Sequence, residues 1–287
     1  MRKRIVWKLQ VFHMTEWRVF MKKYVSFFRL RFINGLQYRA AAIAGIVTQF
    51  TWGALEILLF KAFYEADAGA FPMSFTALSS YIWMQQAFLA LFMTWFLENE
   101  IFDSIQNGNI AYELCRPINL YNMWFMRSMA NRLSRAVLRC MPILLFASFL
   151  PKPYGLTLPK NVLSTVWFII TMILGFLVVV AFCMLIYIVT FFTISPLGVR
   201  IIAVSLVEFF AGSVIPIPFL PNGIRQVFEL LPFASMQNVP LRIYSGNITG
   251  FDIYYTVGLQ IFWFLVLTFI GKSLLHKALK RVVVQGG

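Results

Sequence analysis

Six stretches of mostly apolar residues, each near the length of a bilayer crossing, constrain this 287-residue chain more than any other feature. A helix needs about 20 such residues to cross the hydrocarbon core. The stretches run roughly over Arg39–Phe63, Ser79–Phe102, Ala136–Leu150, Val162–Thr193, Val199–Ile217 and Phe251–Leu275. The third is the least apolar, with Arg132, Arg135 and Arg139 at its start and Pro142 inside it. It is retained because an even number of crossings returns both termini to one side. Only 13% of the residues are charged and mean hydropathy is +0.75. Soluble domains carry about a quarter charged residues, so too little polar surface exists here to coat a globule. The expected fold is an all-α integral membrane protein.

Charge sets the orientation. The net charge is +14, which on a soluble chain would suggest nucleic acid. Cytoplasmic segments of membrane proteins collect Lys and Arg. With both termini cytoplasmic, twenty of these residues fall inside and five outside, the latter being Lys61, Lys152, Lys160, Arg225 and Arg242. The basic balance is therefore assigned to the cytoplasmic face, with no nucleic-acid partner.

Cys115, Cys140 and Cys183 lie far apart with no C-x-x-C spacing, and His13 and His276 stand near opposite ends. These argue against a disulfide framework and a metal centre. Arg2, Lys3, Arg4 and Lys8 resemble the start of a signal peptide, but Glu16, Arg18, Lys22 and Lys23 interrupt any apolar core. The N-terminus is expected to be retained.

Ahead of the first crossing, Trp17, Phe20, Met21, Tyr24, Phe27 and Phe28 recur at helical spacing over Thr15 to Asn34, with Arg18, Lys22 and Arg29 opposite. That pattern predicts an amphipathic helix in the inner headgroup layer, ended by Asn34-Gly35. A basic solvated arm is the alternative, and it would leave six large apolar groups in water.

Gly271-Lys272-Ser273 copies the end of a phosphate-binding loop, but Val266 stands where the motif's first glycine belongs. A lysine reaching to the inner interface explains it better. The long segment after the second stretch, Glu98 to Asn131, carries Asn107-Gly108-Asn109, which predicts a turn. Ile110, Tyr112 and Leu114 then alternate with smaller or polar residues, and Pro117 disfavours helix at Arg116. Apolar groups on a stiff cytoplasmic element suit a docking surface, or a loop packed back on its own helices.

Gly108, Leu114, Arg116 and Pro117 form a G-x-x-x-x-x-L-x-R-P core. With the order of parts along nearly the whole chain, it resembles the loop after the second span in ABC-2-type transporter permeases, and within these the bacterial exporter branch that includes viologen-exporter-like subunits. Cys115 departs mildly from the apolar residue often found there. The resemblance implies a non-catalytic subunit of the bacterial cytoplasmic membrane that pairs as a homodimer or heterodimer. It implies no cofactor bound by this chain, with ATP-Mg held by cytosolic ATPase subunits. By position it places the coupling role on Gly108, Glu113, Leu114, Arg116 and Pro117. The chain then divides into an arm over 1–38 and a six-helix permease domain over 39–287. The coupling loop spans about 103–123 and an outer re-entrant segment about 216–245.

That outer return begins at Pro216, Pro218 and Pro221, which interrupt the helix three times within six residues. Asn222 is expected to cap a short amphipathic helix, and Pro232 and Pro240 to mark further breaks. An ordinary outer loop is the other reading. Glu56 and Glu208 fall inside predicted crossings, where each must face protein or water. They suit a polar path for cationic cargo, or a hydrogen bond between helices with Gln49, Gln85 or Gln86. Arg132, Arg135 and Arg139 share a helix face and are expected to reach lipid phosphate, or acidic residues of the ATPase.

The reading that joins these features is an ATP-driven exporter permease working by alternating access. The alternative is an ion-gradient-driven secondary transporter, for which paired intramembrane acids are present but inverted repeats are not seen. An intramembrane enzyme lacks a catalytic constellation.

Overall fold

The computed structural model describes residues 22–159, 161–193 and 195–281, and among these every regular element is helical. Trp17 and Phe20 lie outside the described residues. The described part of the amphipathic arm is α1 (22–36), with Tyr24 buried and Phe27 packed on the core. The helix runs one residue past Gly35, so Asn34-Gly35 does not stop it. Gly35 is instead a contact, since a Cβ there would collide with the Ser134 side chain.

Among the described residues, three helices are long and apolar enough to cross a membrane: Arg39–Ala66, Val162–Phe192 and Phe251–Leu279. The first is α2, ended by Asp67, whose Oδ1 accepts from the N–H groups of Gly69 and Ala70 at 3.0 and 3.3 Å. α8 (Val162–Val189) is the central post, with Val178 to Ala181 fully buried, and a 3-10 turn over Thr190–Phe192 extends it. α12 (Phe251–Leu279) packs along it.

The remaining stretches depart from their expected form. The second is not one helix. α3 (Phe75–Ala87) and α4 (Leu89–Phe92) give way to non-helical backbone at Met93–Glu98 before α5 (Asn99–Gln106) and α6 (Ile110–Leu114). The third is part of α7 (Leu120–Phe149), thirty residues long, which joins the end of the loop to the apolar stretch. Asn119 starts it by accepting from Asn122 N–H at 3.1 Å, and Pro142 is carried within it. The fifth is shortened, because α9 (Pro196–Phe210) stops before Gly212. Gly212 has φ +72, with Ile217 packed where a Cβ would stand. A left-handed glycine just past a helix end is a common terminator.

A 3-10 turn (Ile217–Phe219), α10 (Asn222–Leu230) and α11 (Asn238–Tyr244) complete the chain before α12. Asn222 is the first residue of α10 and makes no capping bond, the cap position falling to Pro221. Pro240 does not break the chain. It lies in the first turn of α11, where no helical N–H is lost.

The helices set two distinct ends. At one, Arg200 meets Asn99 and Phe102, Lys272 lies over Tyr121, and Arg281 over Phe192. At the other, Trp83 donates to Tyr154 O at 2.7 Å and Tyr244 OH donates to Thr157 O at 3.0 Å. We call these the loop end and the return end.

Candidate functional site

The α5–α6 segment is anchored by buried contacts yet presents an exposed tip. Ile110 is buried, so the apolar residues of this segment are not all outward. Tyr112, Leu114, Cys115, Arg116 and Pro117 are exposed. Gly108 turns the chain at φ +73 with open space around it. Glu113 faces inward, its Oε2 accepting from the Trp124 indole of α7 at 2.6 Å. Tyr24 of α1 accepts through its hydroxyl from Asn119 N–H at 3.3 Å. Buried Arg127 of α7 pairs with Glu98 at 3.8 Å and with Glu100, while Arg31 of α1 reaches Glu100 at 3.6 Å. The tip is thus tied to α1 and α7 at once. Phe28 is half-buried and stacks on Phe32 at 5.9 Å.

The break after α4 has a specific cause. Arg132 is 1% exposed, so it does not reach lipid. Its guanidinium donates to the carbonyls of Leu91, Met93 and Phe96 at 3.3, 2.7 and 3.2 Å, and to Cys183 Sγ at 3.1 Å. Carbonyls released by a broken helix must find donors inside the protein. One guanidinium supplies several, in a fixed fork. Arg135 and Arg139, by contrast, lie over the Phe96 ring, 5.0 and 5.7 Å from its centroid.

Glu56 and Glu208, far apart in sequence, converge. Both line one cavity of about 470 Å³ with Gln49, Gln85, Trp52 and Trp95. Gln86 donates to Glu56 Oε2 at 3.4 Å, one of the helix-to-helix partners expected for that acid. Gln85 donates to Ser213 O at 2.9 Å, tying α3 to the turn after α9. Both amide atoms of Gln49, Glu56 Oε1 and Gln85 Oε1 are buried without partners among the described residues. Uncommitted polar groups facing a cavity can bind a ligand or water without breaking existing bonds. Each acid stands out in the sequence by its place in an apolar stretch, but no local pattern signals that the two meet.

Pro216 and Pro218 are buried and do not line this cavity; Pro218 sits in the 3-10 turn. Beyond them α10 buries Phe228 and half-buries Arg225 and Glu229, while Gln226 stays exposed. Glu229 takes Arg242 at 2.6 Å and Arg225 at 3.6 Å, while Ile224, Val227 and Leu230 stay exposed. The segment returns deep into the fold, where Gln260 of α12 donates to Ser235 O and Thr171 O at 2.9 and 3.1 Å. Gly175 of α8 lets the Met236 carbonyl approach so closely that no Cβ would fit.

Gly271-Lys272-Ser273 lies inside α12, with Gly271 against the Tyr121 ring and Lys272 Nζ 5.6 Å from its centroid. No strand–loop–helix surrounds it, so it lacks the backbone cradle of a phosphate loop.

No curated protein matches the chain. A family model described as ABC-2 family transporter protein matches residues 50–286, from inside α2 to the last residue but one. That span holds the broken α3–α4 segment, the exposed tip, both acids of the cavity and the return, and the chain belongs to the ABC-2 family of transporter membrane proteins.

Proposed function

We propose that this protein is the permease subunit of an ATP-driven exporter, moved by separate cytosolic ATPase subunits that hold the ATP-Mg. In this reading six crossings are made by α2, the jointed α3–α5 run, α7, α8, α9 with its return, and α12. Both termini and the loop end face the cytoplasm of a bacterium, and two permeases, identical or not, assemble in the cytoplasmic membrane. The resemblance to the exporter branch supports outward movement.

The observation that carries the reading is the tip. Exposed Tyr112, Leu114, Arg116 and Pro117 stand on a base fastened to α7 through Glu113–Trp124 and to α1 through Asn119–Tyr24. A partner pressing there displaces two helices together, as a rigid element does when its docking face moves. The two-acid cavity then lies on the cargo path, with Glu56 and Glu208 facing a cationic or strongly hydrogen-bonding cargo.

Arg116→Glu tests the reading, because Arg116 is exposed and its loss leaves the internal anchors intact. The expected outcome is normal membrane insertion with co-purification of the ATPase reduced about tenfold, the scale of one charge-assisted contact. Unchanged co-purification would remove the docking assignment. Uptake of a fluorescent organic cation by the chain alone in liposomes, driven by a proton gradient, would favour the secondary transporter instead.

A further inference from the structure

A second cavity, of about 430 Å³, opens at the loop end between the start of α2 and α7. Its charged lining is Arg31, Arg135, Arg139, Glu98 and Glu100. The two carboxylates are already answered, Glu98 by Arg127 and Glu100 by Arg127 and Arg31. Arg135 and Arg139 have no acidic partner among the described residues. Arg139 makes one bond, to Ala41 O at 3.4 Å, and its Nε is buried without a partner. Two guanidiniums one helical turn apart, stacked on the same Phe96 ring, repel each other unless an anion joins them.

The guanidinium of Arg139 also has a built seat. It lies against Gly45 of α2, where a Cβ would meet its Cζ at 2.5 Å and its Nη1 at 2.7 Å. Ile43 and Val137, next in sequence to the lining residues Ala42 and Leu138, and Met141, two residues from Arg139, are exposed and apolar. Paired arginines forming a fork, under aromatic cover and next to an apolar flank, suit a phosphate oxygen cluster at a membrane surface.

We propose that Arg135 and Arg139 form a binding site for a phosphate group, carried by an anionic phospholipid headgroup or free in solution, which joins the start of α2 to α7. The bound group neutralises the two guanidiniums and links the start of α2 to the helix that begins at the exposed tip. It is independent of the ATPase reading, since it concerns ligand retention by the isolated chain.

The test uses the full chain, delipidated in detergent, with thermal shift and native mass spectrometry. The probes are dioleoylphosphatidylglycerol, dioleoylphosphatidylcholine and inorganic phosphate. Phosphatidylglycerol is expected to be retained at one per protomer and to raise Tm, with Arg135→Gln/Arg139→Gln weakening binding at least about tenfold. Arg135→Lys/Arg139→Lys keeps both charges and loses less, which guards against a merely misfolded double variant. Gly45→Ala leaves both arginines in place but moves the seat of Arg139, and is expected to weaken binding by a smaller factor. Saturable binding of inorganic phosphate that the glutamine variant loses would assign the site to free phosphate. Equal retention of phosphatidylglycerol and phosphatidylcholine by wild type, or retention of phosphatidylglycerol by the glutamine variant as strongly as by wild type, would overturn the proposal.

Discussion

Two polar clusters lie along the broken α3–α4 segment, and they are built in opposite ways. Around Arg132, a full charge is buried and its guanidinium meets three carbonyls and a thiol sulfur. Around Glu56, neutral amides and a carboxylate are buried with four oxygen or nitrogen atoms left uncommitted: two on Gln49, one on Gln85 and one on Glu56 itself. The first arrangement commits both terminal nitrogens of the guanidinium to the protein and leaves only Nε, buried, without a partner among the described residues, so it costs much to disturb. The second carries the desolvation penalty of unpaired groups, about 1–3 kcal/mol each where no water reaches. Polarity spent on backbone carbonyls holds architecture together, and uncommitted polarity lining a cavity is available for recognition.

Mutation should separate the two. The largest effect is expected for Arg132→Ala, which strands three buried carbonyls; a loss of about 3 kcal/mol or more of stability follows, read as a lowered Tm in detergent. Arg132→Lys should recover only part, since an ammonium lacks the fork that spans separated carbonyls. At the other cluster, Glu56→Gln keeps the shape and removes the charge. It should weaken cation binding about tenfold, near 1.4 kcal/mol, with Tm unchanged. A Tm drop as large as that of Arg132→Ala would show that Glu56 is structural. The smallest change is expected from Gln49→Leu, which replaces an unpartnered amide with an apolar group of similar size. Tm should stay level or rise by the equivalent of about 1 kcal/mol, while cargo binding falls.

The same contrast explains what could be read in the sequence. α2, α8 and α12 were legible because hydropathy is a local property and each carries its own apolar run. The break at Met93 was not, since the guanidinium that holds it is Arg132, roughly forty positions later, and the helix-face spacing shared with Arg135 and Arg139 points that arginine to lipid phosphate or acidic residues of the ATPase. Gly35 read as a helix stop, yet its role is contact with Ser134, which no local pattern encodes. The exposed tip was legible in outline from Gly108 and Pro117. The inward turn of Glu113 depends on Trp124, whose indole has a single donor and takes the nearest carboxylate. Glu56 and Glu208 were singled out by the cost of charge in an apolar run, but only the turn after α9, held through Gln85 and Ser213, brings them together.

The joint at Met93 has a mechanical corollary. A continuous rod transmits thrust along its axis, whereas the α3–α5 run is two pieces meeting at a knuckle that Arg132 rivets to α7. Under the proposed function, a push on α5 would become rotation about that rivet, and the far piece, with Gln85 and Gln86 on it, would swing in place of sliding.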